Sequence, residues 1–425
     1  VLLQQLAAAG ITSVARIPLE APALIALGQN LFFDKIISGN QNIACATCHA
    51  PAFATGDGLP LSLGEGAVGL GPTRSATSSS QVIPRNAPAL FHAGAQGYDV
   101  LFRDGRVSKS PVTGALTTPA AVLNGTNPQR PDLAAPLTTA LAAQALFPVV
   151  TAAEMRGQPG DNPIANAPDD VTAWSLLIAR LVGTQGGTVG GIASYQALFA
   201  AAYPGTSFDS LNFSHAARAI AAYESAAYTA LDTPLDQYLA GNTAALSDAA
   251  KRGAAIFTGP GRCFRCHSGP LLTDLAFHAL AVPQLGPGEQ NGDDLGVALI
   301  SGNAADDYKF KTLPLRNVAL TGPFFHDGAF PDLQGVLQHY VNPAQNLLGY
   351  QPANELPAFF QPLFDSNAAE NAARIAAIDP IIGNGIPLAP QEVSDLISFL
   401  EALTDPAATA PPPPPPSVAS GLPVG

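Results

Sequence analysis

Apolar residues recur at helical spacing in several separated stretches of the chain. Leu24, Leu27, Gly28 and Leu31 share one helix face, and Ala250, Gly253, Ala254 and Phe257 repeat that face far downstream, behind Ser247, which is suited to cap the helix start. A glycine within such a face leaves room for a second helix or a flat cofactor edge to approach closely. The stretch from Ser214 through Ala240 reads as one helix with Ala217, Ile220 and Ala221 on one side. Near the end, Leu396, Phe399, Leu400 and Leu403 stand at i, i+3, i+4 and i+7 behind Pro390, whose fixed φ and missing N–H suit a first helical turn. Trp174, the only tryptophan, opens an apolar run to Ile178 that reads as core. Runs of alternating β-branched residues are few, and Gly and Pro occur 40 times each, so the expected fold is mainly α with long Gly/Pro-rich loops.

Composition narrows this picture. At 425 residues the chain is long enough for at least two folding units, and with 47% hydrophobic and 12% charged residues it is far from a disordered composition. Lys plus Arg number 19 against 32 for Asp plus Glu, a net charge of −13, which argues against nucleic acid as a partner. No membrane span is expected: the best apolar stretch, Ala134 to Val150, is interrupted by Pro136, Thr138, Thr139 and Gln144.

All four cysteines fall in two strings of one design, Cys45-Ala-Thr-Cys48-His49 and Cys263-Phe-Arg-Cys266-His267. Two thiols at this spacing can add to the two vinyl groups of one porphyrin, and the adjacent histidine then faces the iron as proximal ligand. A four-cysteine zinc site would have to draw both strings onto one metal and leaves the histidines unexplained, and a thioredoxin-like redox pair explains neither the duplication nor the histidines. Each string therefore reads as a covalent haem c site. With the repeated helices before them, the strings imply two cytochrome c-like helical haem domains: residues 1–245, with inserted helical segments, and 246–408. Residues 409–425, with six prolines at Pro411–Pro416, read as a proline-rich tail. Haem attachment of this kind takes place outside the bacterial cytoplasmic membrane, so a periplasmic location is expected. The opening Val-Leu-Leu-Gln-Gln has neither basic nor long apolar signal character, as in an exported chain whose signal has been removed.

The occupant of each sixth iron position separates electron transfer from oxidant chemistry. Two His–Met haems are excluded, because Met155 is the only methionine. No histidine occurs from Ala50 to Phe91, so the loop after the first string supplies no local His ligand. The first haem is therefore expected to be open or water-bound, a site for peroxide.

Further motifs carry a family resemblance. Leu31-Phe-Phe-Asp34 and Ser38-Gly-Asn40 before the first string, with Leu315-Arg-Asn-Val-Ala-Leu-Thr-Gly-Pro-Phe-Phe-His-Asp-Gly328 after the second, make the chain similar to the bacterial di-haem cytochrome c peroxidase/MauG family. The resemblance implies that Gln144, Pro148 and Glu154 form the pocket where peroxide reacts, with Glu154 as acid–base catalyst, Gln144 orienting peroxide and Pro148 limiting access. It implies Tyr340 as axial ligand of the second, low-spin haem, where peroxidases of the family place Met and MauG a Tyr; His339 is the competing ligand. It also implies Ca²⁺ between the haems, held by the Asn86 side chain and the carbonyls of Thr312 and Pro314. One departure stands out: Phe102-Arg103-Asp104-Gly105-Arg106 has arginine where the family usually carries the tryptophan between its haems. The implied function is MauG-like: peroxide reacts at the N-terminal haem, and the high-valent di-haem state oxidises a Trp or Tyr on a partner protein. The alternative is a peroxidase that reduces peroxide to water with electrons from a small cytochrome or cupredoxin.

Overall fold

The computed structural model describes residues 1–78, 81–289 and 292–425. Helix makes up 41% and strand 7%, so the mainly helical expectation holds. Two crossed helix pairs organise the molecule. In the first, the helix Pro22–Phe33 crosses Phe213–Tyr228; in the second, Asp248–Phe257 crosses Pro390–Glu401. Ser247 caps the third of these helices by accepting the Ala250 N–H, and Pro390 opens the fourth while the Glu392 carboxylate accepts the Ala389 N–H.

The repeated glycines sit at the two crossings. A Cβ on Gly28 would lie 1.8 Å from the Ala219 carbonyl oxygen and 2.9 Å from Tyr223 Cβ. A Cβ on Gly253 would lie 2.0 Å from the Asp395 carbonyl oxygen and 2.8 Å from Phe399 Cβ. Neither glycine has a positive φ, so the requirement is one of space alone. Around the first crossing packs the larger core, including Leu24, Leu31, Phe32, Phe213, Ile220 and Trp174; around the second pack Phe257, Leu396, Phe399 and Leu403.

The single helix expected from Ser214 to Ala240 is two. The first ends at Tyr228, and the second runs Pro234–Leu239, started by Thr233, whose Oγ1 accepts the Asp236 N–H while the Asp236 carboxylate accepts the Thr233 N–H. Pro234 lacks the N–H that an uninterrupted helix would need there. The break sends the chain from one core to the other: Tyr228 is buried in the first, Leu235 and Tyr238 in the second.

Both termini cross over as well. Leu6, Ala9 and Ile11 pack into the second core. Past the mostly exposed prolines, Val418 is buried in the first core, and Ser420 donates its N–H and hydroxyl to the buried Asp34 carboxylate at 3.0 and 2.6 Å. Tyr195 donates to the same carboxylate at 2.7 Å.

Two small sheets bring the halves together. Val100–Leu101, Val107–Lys109 and Leu116–Thr117 form an antiparallel sheet, and Phe277–Ala279 pairs antiparallel with Lys309–Lys311. The tip of the first hairpin, Phe102 to Arg106, reaches the second sheet: the Lys311 N–H donates to the Arg103 carbonyl at 2.7 Å, and a Cβ on Gly105 would meet the Phe277 ring at 2.4 Å. Arg85 fixes this junction with two hydrogen bonds to Asp294, at 2.7 and 2.8 Å, and one to Asp104 at 2.7 Å. Among the described residues no helix is long and apolar enough to cross a membrane.

Overpacking of this kind costs about 1–3 kcal/mol or more. Gly28→Ala and Gly253→Ala should each lower the midpoint of thermal unfolding of the haem-loaded protein by several degrees, whereas Gly292→Ala, at a position open on all sides, should leave it unchanged.

Candidate haem sites

Each CxxCH string opens onto its own cavity. Cys45, Cys48 and His49 line the first; Cys263, Cys266 and His267 line the second. The two histidines are held alike. His49 Nδ1 faces the Thr55 carbonyl at 3.1 Å, and His267 Nδ1 faces the Leu272 carbonyl at 3.1 Å. Thr55 and Leu272 both adopt left-handed backbone, with φ of 61° and 53°. That turn folds the chain back so that the carbonyl meets the ring. A proton on Nδ1 leaves Nε2 with its lone pair, the form an iron ligand needs. Burial lowers the pKa of both rings, to about 4 for His267, and so favours the neutral state.

The first cavity gathers the three residues expected to handle peroxide. Gln144 ends the short helix Ala140–Gln144, Pro148 begins the next turn, and Glu154 lies in a turn of wider, π-helical winding, Ala152–Arg156; all three line the cavity. In that turn the N–H groups of Glu154, Met155 and Arg156 converge on the Thr151 carbonyl, each at 3.1 Å. Such turns widen a helix locally and change the direction of one side chain. Burial raises the Glu154 carboxyl to about 7, with Arg106 pulling it down and Glu289 pushing it up. Arg106 is itself paired with Glu289 at 2.9 Å. Met155 also lines this cavity, so the one methionine belongs to the first site.

A further carboxyl was not foreseen. Glu224 lines the first cavity, is 5% exposed, and its Oε2 has no hydrogen-bond partner; burial raises its pKa to about 8. Counted from the matched glycine contacts, Ile220 and Glu224 correspond to Leu396 and Leu400, which line the second cavity. The one sequence signal was a glutamate one turn beyond Ile220, on the apolar face.

In the second cavity Tyr340 projects from the helix Leu333–Val341, and burial and the neighbouring Cys266 and Cys263 raise its hydroxyl pKa. His339 does not share the cavity. It is fully buried, with Nδ1 against the Asn346 side chain at 3.0 Å and Nε2 against the Leu280 carbonyl at 2.7 Å. Both nitrogens are thus engaged. His278 lines the cavity but is held between Asp379 at 2.6 Å and Asp274 at 3.0 Å. His326 also lines the cavity and its buried Nε2 has no hydrogen-bond partner; it stacks on Phe310, ring centres 3.6 Å apart, and its charged neighbours are Asp294, Arg85, Arg103 and Arg374 rather than the haem-bearing cysteines.

Asn86, Pro88, Ala89 and Arg103 line both cavities and form the wall between them. Thr312 and Pro314 line the second cavity with Asn86, so the three residues expected at calcium are brought together. Their oxygens do not fit that ion as folded. Asn86 Oδ1 accepts a hydrogen bond from Arg103 Nη2 at 2.9 Å, and the Thr312 carbonyl accepts one from the Thr273 hydroxyl at 2.6 Å. A guanidinium thus holds the Asn86 oxygen, and no carboxylate is among the three residues.

Two cavities, each with a cysteine pair and an Nδ1-anchored histidine, define a di-haem protein with covalently attached haem c. Residues 22–244, just over half of the chain, match the family model described as di-haem cytochrome c peroxidase, and the chain belongs to that family. Relatives include the methylamine utilization protein MauG of Methylorubrum extorquens, 28% identical over 75% of this chain and 69% of that protein. The cytochrome c551 peroxidase of Pseudomonas aeruginosa is 28% identical over 72% of this chain and 68% of its own. Among solved structures, a MauG-like protein associated with microbial copper homeostasis matches with a TM-score of 0.60 at 24% identity, covering 94% of this chain and 95% of that one. The diheme peroxidase BthA of Burkholderia thailandensis matches with a TM-score of 0.59 at 21% identity, covering 91% and 87%. These two likenesses concern the fold.

Proposed function

We propose that the protein is a MauG-like enzyme: hydrogen peroxide reacts in the first cavity, and the oxidising equivalents pass through both sites to a Trp or Tyr on a partner protein. The observation that carries this reading is Tyr340. It lines the second cavity beside Cys266 and Cys263, whereas Met155, the only methionine, lines the first, His339 and His278 have both ring nitrogens engaged, and His326, whose Nε2 is free, has Asp294, Arg85, Arg103 and Arg374 as charged neighbours instead of those cysteines. A tyrosine oxygen is a harder, more electron-donating ligand than a thioether and favours higher oxidation states of iron. The second reading, a peroxidase fed by a small cytochrome or cupredoxin, shares the first cavity and is supported by the cytochrome c551 peroxidase relative. Either activity belongs in the periplasm, where haem c is attached.

The haems, once attached, supply the iron that binds and reduces peroxide. The surrounding residues move the protons and control access. The Glu154 carboxylate accepts a proton from one peroxide oxygen and returns it to the other, which leaves as water. Gln144 orients peroxide through its amide, and the Pro148 ring narrows the entrance. Glu154 is suited to this exchange because a carboxyl near 7 accepts and releases a proton with little penalty at neutral pH.

Four outcomes are expected. With Glu154 near 7, its base form grows as pH rises, so the rate of reaction with peroxide in stopped-flow should rise about tenfold from pH 6 to pH 8. Glu154→Gln should remove that pH dependence and slow the reaction by about 10²–10⁴-fold, with both haems retained in a pyridine haemochrome assay. Tyr340→Phe should alter the low-spin signal in the resting EPR spectrum; an unaltered signal would take the ligand role from Tyr340. Incubation with peroxide and candidate proteins encoded beside it should change the mass of one of them at a Trp or Tyr. Rapid peroxide turnover with reduced cytochrome c and no mass change would instead establish the peroxidase reading.

A further inference from the structure

Arg103 stands at the tip of the Val100–Lys109 hairpin, in the wall shared by both cavities. It is 8% exposed. Nη2 donates to Asn86 Oδ1 at 2.9 Å, while Asn86 Nδ2 donates to the Leu59 carbonyl at 2.8 Å, and that second bond fixes which end of the amide faces the guanidinium. Arg103 Nε is buried with no hydrogen-bond partner in the protein. Lys311 lies on the facing strand, where its amine donates to the Val100 carbonyl at 2.5 Å and burial lowers its pKa to about 7; the charged groups that act on Arg103 are Arg85 and the buried Asp327.

Calcium sites are built from six to eight oxygens and gain affinity with the number of carboxylates. The oxygens grouped here are an amide and two backbone carbonyls, all neutral. A divalent cation placed among them would lose the Asn86 oxygen to Arg103 and would be repelled by the buried guanidinium. A guanidinium needs only acceptors at its rim, and Asn86 supplies one. Its unpaired Nε, in a residue that borders both cavities, leaves a charge-assisted donor for a carboxylate of a bound haem.

We propose that the Arg103 guanidinium is the resident cation between the two haem sites of this protein, taking the Asn86 oxygen in place of Ca²⁺, so that no calcium is bound there. Replacement of the family's tryptophan and loss of the metal are then one change rather than two. A side chain that carries its own charge cannot be removed by a chelator, so the charge between the haems becomes permanent.

The test uses the holoprotein with both haems attached, dialysed against EDTA, re-equilibrated with calcium and desalted, with calcium per chain measured by mass spectrometry and the resting optical and EPR spectra recorded at each step. The wild type should carry no calcium above the buffer blank and show no spectral response to EDTA or calcium. Arg103→Trp should gain one calcium per chain, removable by EDTA with a spectral change. Arg103→Lys, which keeps the charge, should remain calcium-free. Where the Trp variant fails to load both haems, Arg103→Met takes its place. A wild type that holds one calcium per chain overturns the proposal. So does a folded, haem-loaded Trp or Met variant that stays as calcium-free as the wild type, because Arg103 would then not be what excludes the ion.

Discussion

Each half of this molecule depends on a helix crossing too close for any side chain but hydrogen. Gly28 against Ala219 and Gly253 against Asp395 let two backbones touch, and everything that surrounds the haem cavities is hung from those contacts. The crossing sets the rotation of the second helix in each pair, and so decides which residues reach the cavity: Ile220 and Glu224 in the first half, Leu396 and Leu400 in the second. The same scaffold therefore presents a protonatable carboxyl to one haem site and a hydrocarbon to the other. That single difference, together with Glu154, gives the first cavity two buried carboxyls that burial raises to about 7 and about 8, beside the Arg106–Glu289 pair.

The junction between the halves is electrostatic where the cores are apolar. Arg85 ties Asp104 of the first half to Asp294 of the second, and the hairpin tip is locked against the second sheet by the Arg103–Lys311 backbone bond. Buried ion pairs of this kind cost desolvation and so add little net stability over an apolar contact, but they tolerate only one registry. Registry is what two redox sites require, because electron transfer between them depends on a fixed separation. The termini reinforce it, since the first helix packs into the second core and the tail past the prolines packs into the first.

Much of this was legible in the chain itself. The repeated helix faces, their caps and the glycines were visible as local pattern, because helix formation and capping depend on residues within a few positions of one another. The break at Pro234 was missed: the apolar spacing runs through it, and the competing claims of two separate cores on either side are invisible to periodicity. Glu224 was passed over because a glutamate in a helix is usually solvated, and only the path of the neighbouring chain buries it. The expected calcium site illustrates the same limit. Asn86, Thr312 and Pro314 do line one cavity, but Arg103 reaches Asn86 across a turn of chain that spacing alone does not orient.

By itself, then, the sequence determined the chemistry that is bonded locally: two thiol pairs three residues apart, a histidine beside each, and hence two covalent haems on a duplicated helical frame. Attachment of this kind needs only neighbours along the chain. The tertiary structure decided the environment of each haem, because burial, orphaned donors and shared walls arise from segments far apart in sequence. Tyr340 rather than His339 faces the second cavity, and the Arg103 guanidinium stands in the wall between the two, for that reason.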